Sequence, residues 1–292
     1  MSIALSTPHH DTQAAEKTLP GLFVSQEWLA NHLDATDLRI IQVGGEKYFS
    51  RFHIPGAQLV SYNQIVEMRD GVAGLRRGES ALKALFGSLG IAPHTRVVAY
   101  DLSGGMDAAR LIWTLSTVGH PAEMAVLDGG LGRWYETQQP MEETITTVDA
   151  VDFVPQPDGR WSVEAREVEK IAEEGGPALL LDVRSDGEYV GTTRQQPKGH
   201  LRGAVHLDWT QTLMNPRDVR LKDSPALLKL FEQVGLSDPN REIIVYCETG
   251  HRASQSWLLL RHLGFTQVRL FDGSIAEWRV LGLPVVAGAR PE

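Results

Sequence analysis

The chain has 292 residues, of which 42% are hydrophobic and 22% charged, and its formal net charge is −9. This length suits two domains of ordinary size, and the composition is typical of a globular protein in water. The acidic balance argues against nucleic acid or an anionic membrane as a partner. A single cysteine, Cys247, excludes an internal disulfide and a multi-cysteine metal site.

The N-terminal segment predicts a mobile tail up to about Leu19. It has no basic start, long apolar run or small-residue cleavage site, which disfavours a signal peptide. The sequence contains no uninterrupted run of about 18 apolar residues that could cross a membrane. Together with the lone cysteine, these features predict a cytoplasmic protein with no membrane partner.

The chain repeats itself with an offset of 144 to 147 residues. Four blocks recur in the same order, which indicates a duplicated domain. In chain order the pairs are RIIQVGG with LLLDVRS, RFHIPGAQLV with KGHLRGAVHL, RVVAYDLSGG with EIIVYCETGH, and VLDGGLGRW with LFDGSIAEW. Tyr100 pairs with Tyr246, and Asp101 stands where the second copy has Cys247. Only the second copy therefore carries a sulfur nucleophile.

These matches divide the chain into a first domain over residues 20–134, a linker over 135–161 and a second domain over 162–286. The linker is polar and contains prolines, so we expect it to run across the surface between the halves.

Strands alternate with helices in both halves. Residues 178–183 and 242–246 are short apolar runs typical of buried parallel strands, whereas 224–236 and 252–265 have helical spacing and meet glycine near their ends. This alternation predicts an α/β fold in which a mostly parallel central sheet is flanked by helices. In such sheets the working loops follow the carboxyl ends of the strands, and Cys247 lies at one of them.

A short polar loop, Cys247–Arg252, follows the strand, and a helix is expected from about Ala253. A tight strand-to-helix loop directs several backbone N–H groups into one concavity, and the helix start adds the positive end of its dipole. Such a site stabilises an anion such as a thiolate. Gly250 permits the turn, and His251 adds hydrogen-bonding capacity. An inert core cysteine is the competing interpretation, but the polar, glycine-containing loop favours a reactive one.

With the repeat and the loop considered together, the sequence resembles the rhodanese family of sulfurtransferases in its tandem two-domain form, from about Leu22 to Val286. The motifs that carry the resemblance are LDVR, GHLRGA, CETGHR and FDGSIAEW in the second half, and HIPGA, YDLSGG and LDGGLGRW in the first. The resemblance implies two tandem rhodanese-like domains, of which the first is non-catalytic because Asp101 cannot carry sulfane sulfur.

The resemblance also implies a persulfide mechanism. Cys247 would attack the outer sulfur of a donor such as thiosulfate, release sulfite and pass the sulfur to cyanide, a thiol or a protein acceptor. The active-site loop would consist of Glu248, Thr249, Gly250, His251 and Arg252. No metal and no organic cofactor is implied.

Four further residues of the second half are candidates for the site. The resemblance implies that Arg184 binds the anionic donor, with a structural ion pair as the alternative. Arg194, together with Lys198, is a candidate for the mouth of the pocket. Asp182 and His200 are expected to support the structure.

Several alternatives stay open. Protein tyrosine phosphatases and related arsenate reductases place five residues between cysteine and arginine, whereas Cys247 and Arg252 have four between them, which disfavours that chemistry. Glu248 would weaken the binding of a doubly anionic donor unless its side chain turns outward. 3-Mercaptopyruvate or a protein persulfide is therefore an alternative donor, although Glu188 stands where mercaptopyruvate enzymes have a second arginine. A non-catalytic binding module is a further alternative, against which the retained Cys247 speaks.

Overall fold

The structure is a computed structural model that describes residues 18–194 and 197–290. The tail predicted up to about Leu19 therefore lies almost wholly outside the described residues. Strands in the first half are β1 (Phe23–Val24), β2 (Leu38–Val43), β3 (Gln58–Val60), β4 (Val66–Arg69), β5 (Val72–Arg76), β6 (Arg96–Tyr100) and β7 (Met124–Leu127). Those in the second half are β8 (Ser162–Val163), β9 (Leu179–Asp182), β10 (Val205–His206), β11 (Leu213–Asn215), β12 (Asp218–Leu221), β13 (Ile243–Tyr246) and β14 (Val268–Phe271).

Helices connect most of these strands. In the first half they are α1 (Gln26–Ala30), α2 (Glu46–Phe49), α3 (Glu79–Ser88), α4 (Met106–Thr117) and α5 (Gly130–Glu136). In the second half they are α6 (Ala165–Glu174), α7 (Asp186–Val190), α8 (Ser224–Gln233), α9 (His251–His262) and α10 (Ser274–Val280). Short 310 turns occupy Tyr62–Gln64, Gly159–Trp161 and Trp209–Thr212. In the part of the chain that the structure describes, none of the helices has the length and apolar character of a membrane span.

Each half is built on a five-stranded parallel sheet, which confirms the predicted α/β fold. The strand order is β1–β7–β6–β2–β3 in the first half and β10–β9–β13–β14–β8 in the second. The central strand β13 is buried along its whole length, as its continuous apolar sequence predicts. It pairs with β9 on one side and β14 on the other. Because these strands are parallel, their carboxyl ends bring Cys247, Arg184 and Ser274 to the same edge of the sheet.

The two halves share one hydrophobic core, in which α4 packs against α9. Trp113 of α4 and Trp257 of α9 are almost fully buried in it. Burying a large apolar side chain contributes roughly 1.5–3 kcal/mol, so many such side chains shared across the interface hold the halves together. The helix that follows the Cys247 loop is thereby fixed against the non-catalytic half.

Each half extends a β-hairpin that hydrogen-bonds to the other half. The β4–β5 hairpin of the first half donates the N–H of Arg76 to Asp272 of the second half over 2.8 Å. The β11–β12 hairpin of the second half donates the N–H of Leu221 to Asp128 of the first half over 2.9 Å. Asp128 and Asp272 are equivalent positions of the repeat, so each half covers the strand ends of the other.

The connection between the halves is attached to the first half. Val151 donates its N–H to the carbonyl of Gly87, and Gln156 donates its N–H to that of Val118. Phe153 is buried and lies edge-on to Phe86, with 5.3 Å between the ring centroids. The division into 20–134, 135–161 and 162–286 stays a prediction, although α5 continues two residues past its first boundary, to Glu136.

Candidate active site

Cys247 lies directly after β13, and its side chain has no exposed surface. Helix α9 begins at His251, two residues earlier than the expected start near Ala253. The reason is Gly250, whose φ of 73° makes the turn within one residue and so caps the helix. Only three residues therefore separate the cysteine from the helix, and the positive end of the helix dipole lies close to the sulfur.

Ser274, the first residue of α10, fixes the Cys247 loop through hydrogen bonds of its hydroxyl. Its hydroxyl accepts the N–H groups of Cys247 and Gly250, each over 3.1 Å, and donates to the carbonyl of Phe271. The next two residues of α10 donate their N–H groups to the carbonyls of Cys247 and Glu248. The loop is thus fixed from one side, in the manner of a preorganised site.

Ser274 was not among the site residues predicted from the sequence. Its φ of 50° is unusual for a residue other than glycine, and the equivalent position in the first half is Gly130, with a φ of 54°. The serine at this strained position supplies a hydroxyl that glycine lacks, and this hydroxyl holds the loop. The difference between DGG and DGS in the two copies was the available signal.

The loop of the first half shows what its N–H groups can bind. The carboxylate of Asp101 is almost fully buried and accepts the N–H groups of Ser103, Gly105 and Ala108 over 2.9–3.0 Å. Burial raises the pKa of Asp101, and these hydrogen bonds oppose the rise. The first half therefore fills its own anion-binding loop with a side chain.

The loop of the second half is open by comparison. Within residues 18–194 and 197–290, no protein atom accepts the backbone N–H groups of Glu248, Thr249, His251 and Arg252. The first two lie in the loop proper, and the other two are the unpaired donors of the helix start. A cysteine side chain cannot fill the concavity as Asp101 does, so these donors are available to an anion at Cys247.

Arg252 is fixed by Glu188 through two parallel hydrogen bonds of 2.7 and 2.8 Å. Burial alone would lower the pKa of Arg252, but Glu188 and the Cys247 sulfur outweigh it and raise the pKa. Burial likewise favours a higher pKa for Glu188, yet the hydrogen bonds from Arg252 and Ser185 lower it to about 2. The pair carries both charges near neutral pH and anchors the start of α9 to the first turn of α7.

Glu248 turns away from the loop towards α10. Its Oε1 lies 2.5 Å from a guanidinium nitrogen of Arg279, so an opposite charge compensates the carboxylate. Thr249 packs against Gly74 of the first half: a β-carbon on Gly74 would lie 2.7 Å from that of Thr249. A glycine is required there because the hairpin of the first half closes directly on the loop.

The first half supplies further contacts to the loop. The Nε2 of His251 lies 2.6 Å from a carboxylate oxygen of Asp107, and the His251 ring faces Tyr62 with 4.6 Å between the centroids. Arg110 donates to Asp272 over 2.5 Å and to the carbonyl of Gly74 over 2.8 Å. The non-catalytic half therefore forms one wall of the candidate site.

Arg184 does not have the surroundings of a donor-binding residue. It is almost fully buried, and its guanidinium donates to the carboxylate of Asp182 and to the carbonyl of Gly199. Burial alone would lower the pKa of Arg184, but the Asp182 charge outweighs it and raises the pKa. Donor binding by Arg184 stays a prediction; the observed contacts favour the alternative of an ion pair at the strand end.

The other candidates lie away from the loop contacts. His200 is fully buried, stacks on Tyr189 at 3.7 Å, and has its ring nitrogens 2.9 and 3.0 Å from carbonyl oxygens. Its repeat equivalent, His53, has its ring nitrogens 2.7 and 3.2 Å from carbonyl oxygens, which favours an architectural role. Arg194 and Lys198 are exposed on the segment after α7, whose residues 195–196 are outside the described part.

The chemistry available to this site is that of a nucleophilic sulfur in an anion-binding loop. The described residues contain no cluster of three or more histidine, cysteine, aspartate or glutamate side chains that could hold a metal ion. Cys247 is the only cysteine of the sequence, so a covalent intermediate on sulfur can form only there.

This chain is similar to known sulfurtransferases and to a sulfur carrier protein. A thiosulfate sulfurtransferase from Pseudomonas aeruginosa is 31% identical, over 88% of this chain and 93% of its own. The sulfur carrier protein TtuD from Thermus thermophilus is 29% identical, over 92% of this chain and 98% of its own. The crystal structure of SseA from Escherichia coli, a 3-mercaptopyruvate sulfotransferase, superposes with a TM-score of 0.77 at 24% identity, over 87% of this chain and 98% of its own.

The family comparison covers both halves separately. The family model of the rhodanese-like domain matches residues 25–137 and again residues 164–280. These two segments contain the Asp101 loop and the Cys247 loop respectively. The chain therefore belongs to the rhodanese family, with two rhodanese-like domains in tandem.

Proposed function

We propose that this protein is a sulfurtransferase that moves sulfane sulfur from thiosulfate to cyanide or a thiol through a persulfide on Cys247. One observation carries the proposal: equivalent strand-to-helix loops occur in both halves. The Asp101 carboxylate fills the first, whereas four backbone N–H groups around Cys247 have no acceptor among the described residues. An open anion-binding loop centred on a nucleophile suits a reaction in which both the thiolate and the persulfide are anions.

In the first step, the Cys247 thiolate attacks the outer sulfur of thiosulfate. The sulfur–sulfur bond of the donor breaks, sulfite leaves with the bonding electron pair, and a new sulfur–sulfur bond joins the outer sulfur to Cys247. In the second step, cyanide attacks that outer sulfur, thiocyanate leaves, and the thiolate is restored. The free N–H groups of Glu248, Thr249, His251 and Arg252 stabilise the anionic sulfur in both states.

We assign the surrounding side chains by their contacts. Arg252, held by Glu188, adds positive charge beside the sulfur without leaving its position. Arg184, Asp182 and His200 support the strand ends and do not contact the donor. Arg194 remains a candidate for the pocket mouth, where an exposed arginine would attract an anion over a short range.

The charges around the loop bear on which donor binds best. Among the described residues, three arginines that border the loop each have a carboxylate partner; the pairs are Arg252–Glu188, Arg279–Glu248 and Arg110–Asp272. Coulombic attraction for a doubly charged donor is therefore modest, and the backbone N–H groups provide most of its binding.

The same charge balance favours a second candidate function, in which the sulfur arrives as the persulfide of another protein. Such a donor brings a single negative charge and binds through its own surface as well. One relative carries the name of a sulfur carrier protein. In either case we propose a cytoplasmic location, where the single cysteine stays reduced.

Steady-state kinetics test the proposal. We expect the purified protein to form thiocyanate from thiosulfate and cyanide with ping-pong kinetics, and the Cys247→Ser variant, in which the loop and its contacts are kept, to form none. 3-Mercaptopyruvate at the same concentration should be the poorer donor, since Glu188 stands where mercaptopyruvate enzymes have a second arginine. Intersecting rather than parallel double-reciprocal plots, or turnover by the serine variant, would refute the covalent mechanism.

A further inference from the structure

Tyr62 of the non-catalytic half has a buried hydroxyl that finds no partner among the residues that the structure describes. It begins the 310 turn after β3, and its ring faces His251 at the start of α9. Within the described parts of the chain, its hydroxyl oxygen makes no hydrogen bond and is shielded from solvent. A buried hydroxyl without a hydrogen bond destabilises the protein. An acceptor that binds next to the Tyr62 hydroxyl would remove this destabilisation.

The surroundings of the hydroxyl identify the kind of acceptor. Burial raises the pKa of Tyr62 well above its ordinary value; Arg110 opposes the rise, and the Cys247 sulfur adds to it. The phenol therefore stays protonated and can donate a hydrogen bond, and it lies within the electrostatic field of the sulfur. The hydroxyl makes no hydrogen bond to the Cys247 sulfur in the described residues.

The other half shows the matching arrangement around a filled loop. Trp209 occupies the position equivalent to Tyr62, since SYNQ in the first half aligns with DWTQ in the second. Its indole covers the Asp101 loop, 3.3 Å from the position of a β-carbon on Gly104. Each half thus covers the loop of the other with an aromatic ring, and the cover of the Cys247 loop carries a free hydroxyl.

We propose that the Tyr62 hydroxyl donates a hydrogen bond to the outer sulfur of the Cys247 persulfide. The inference rests on the proposed function, because it concerns the sulfur-loaded state. A persulfide extends the anion by one sulfur–sulfur bond, about 2.05 Å, beyond the cysteine sulfur, to which the Tyr62 hydroxyl makes no hydrogen bond in the described residues. Loading transfers a neutral sulfur from thiosulfate to the thiolate and releases sulfite, so the phenol keeps its proton.

The consequence is that the non-catalytic half stabilises the loaded form of its neighbour. The Tyr62→Phe variant keeps the ring against His251 and removes only the hydroxyl. Its equilibrium constant for loading should fall roughly tenfold to a hundredfold, the usual effect of losing a hydrogen bond to a charged acceptor. In the unloaded state, the variant should be as stable as the parent protein or more stable, because an unsatisfied hydroxyl is lost.

The experiment loads both proteins with sulfur, titrates them with sulfite and follows the loaded fraction by intact mass spectrometry, with thermal melts of the loaded and unloaded forms. Tyr100→Phe is the matched control, because the Tyr100 hydroxyl accepts the N–H of Ile54 within the first half. That variant should lose stability and keep the parental loading constant. Loading should raise the Tm of the parent protein more than that of the Tyr62→Phe variant.

Two results would overturn the inference: loading constants of the parent and the Tyr62→Phe variant within about twofold of each other, or a stability loss in the unloaded Tyr62→Phe variant like that of Tyr100→Phe. A parent protein that takes no sulfur from thiosulfate would instead count against the proposed function. In that case polysulfide installs the persulfide on Cys247, and the sulfite titration still compares the two proteins.

Discussion

Replacing Arg184 by methionine tests whether this arginine supports the strand ends or binds the donor. The substitution would leave the carboxylate of Asp182 buried with no exposed surface and without its cationic partner. Removing one member of a buried ion pair typically costs about 3–5 kcal/mol. For a cooperative unit of this size we expect the Tm to fall by roughly 6–20 °C.

The assay is urea and thermal unfolding followed by tryptophan fluorescence, together with thiosulfate kinetics at a temperature where the variant is folded. Arg202→Met is the control, because Arg202 is exposed on the same segment, and its effect should stay within about 0.5 kcal/mol. The double variant Asp182→Leu/Arg184→Met should regain part of the loss, since no unpaired charge remains. Parental stability of Arg184→Met combined with a KM for thiosulfate raised about tenfold would refute this account and restore the donor-binding role.

Three further substitutions test the loop and its supports. Ser274→Ala leaves two loop N–H groups without their acceptor, so it should cost roughly 1–3 kcal/mol and lower kcat, as unfolding and turnover measurements would show. Gly74→Ala adds a β-carbon 2.7 Å from that of Thr249 at a φ of 81° and should lower turnover, whereas Gly78→Ala, with no atom within 4 Å of the added carbon, should not. Glu188 has a folded-state pKa of about 2, below the ordinary 4.5. Its stabilisation is therefore present above about pH 4.5 and lost as the pH falls towards 2, and Glu188→Gln should flatten the urea midpoint over this range.

The fold was predictable because its signals are local. Apolar runs mark the buried strands β9 and β13, and glycines mark the ends of helices. The repeat shows the same order of elements in both halves. The Cys247 loop was predictable for the same reason, since nucleophile, glycine and arginine are adjacent in sequence. The start of α9 was predicted two residues too late, near Ala253. Gly250 adopts the left-handed conformation and completes the turn alone, so the helix begins at His251.

The remaining features of the site depend on contacts between distant segments. The LDVR motif does not reveal whether the Arg184 side chain points into the site or back to Asp182. Arg184 lies two residues after the end of β9, and from there its side chain could take either direction. Glu188 could be noted as a departure from the mercaptopyruvate pattern, but its pairing with Arg252 spans 64 residues. Tyr62 contacts the loop across the interface between the halves, and no periodic pattern encodes such a contact.

Intact mass spectrometry after incubation with thiosulfate tests the central claim most directly. Because the chain has a single cysteine, the result is free of competing thiols. We expect that the protein gains one sulfur atom and loses it on addition of cyanide, and that the Cys247→Ser variant gains none. Absence of any gain from thiosulfate, or an equal gain by the serine variant, would contradict it.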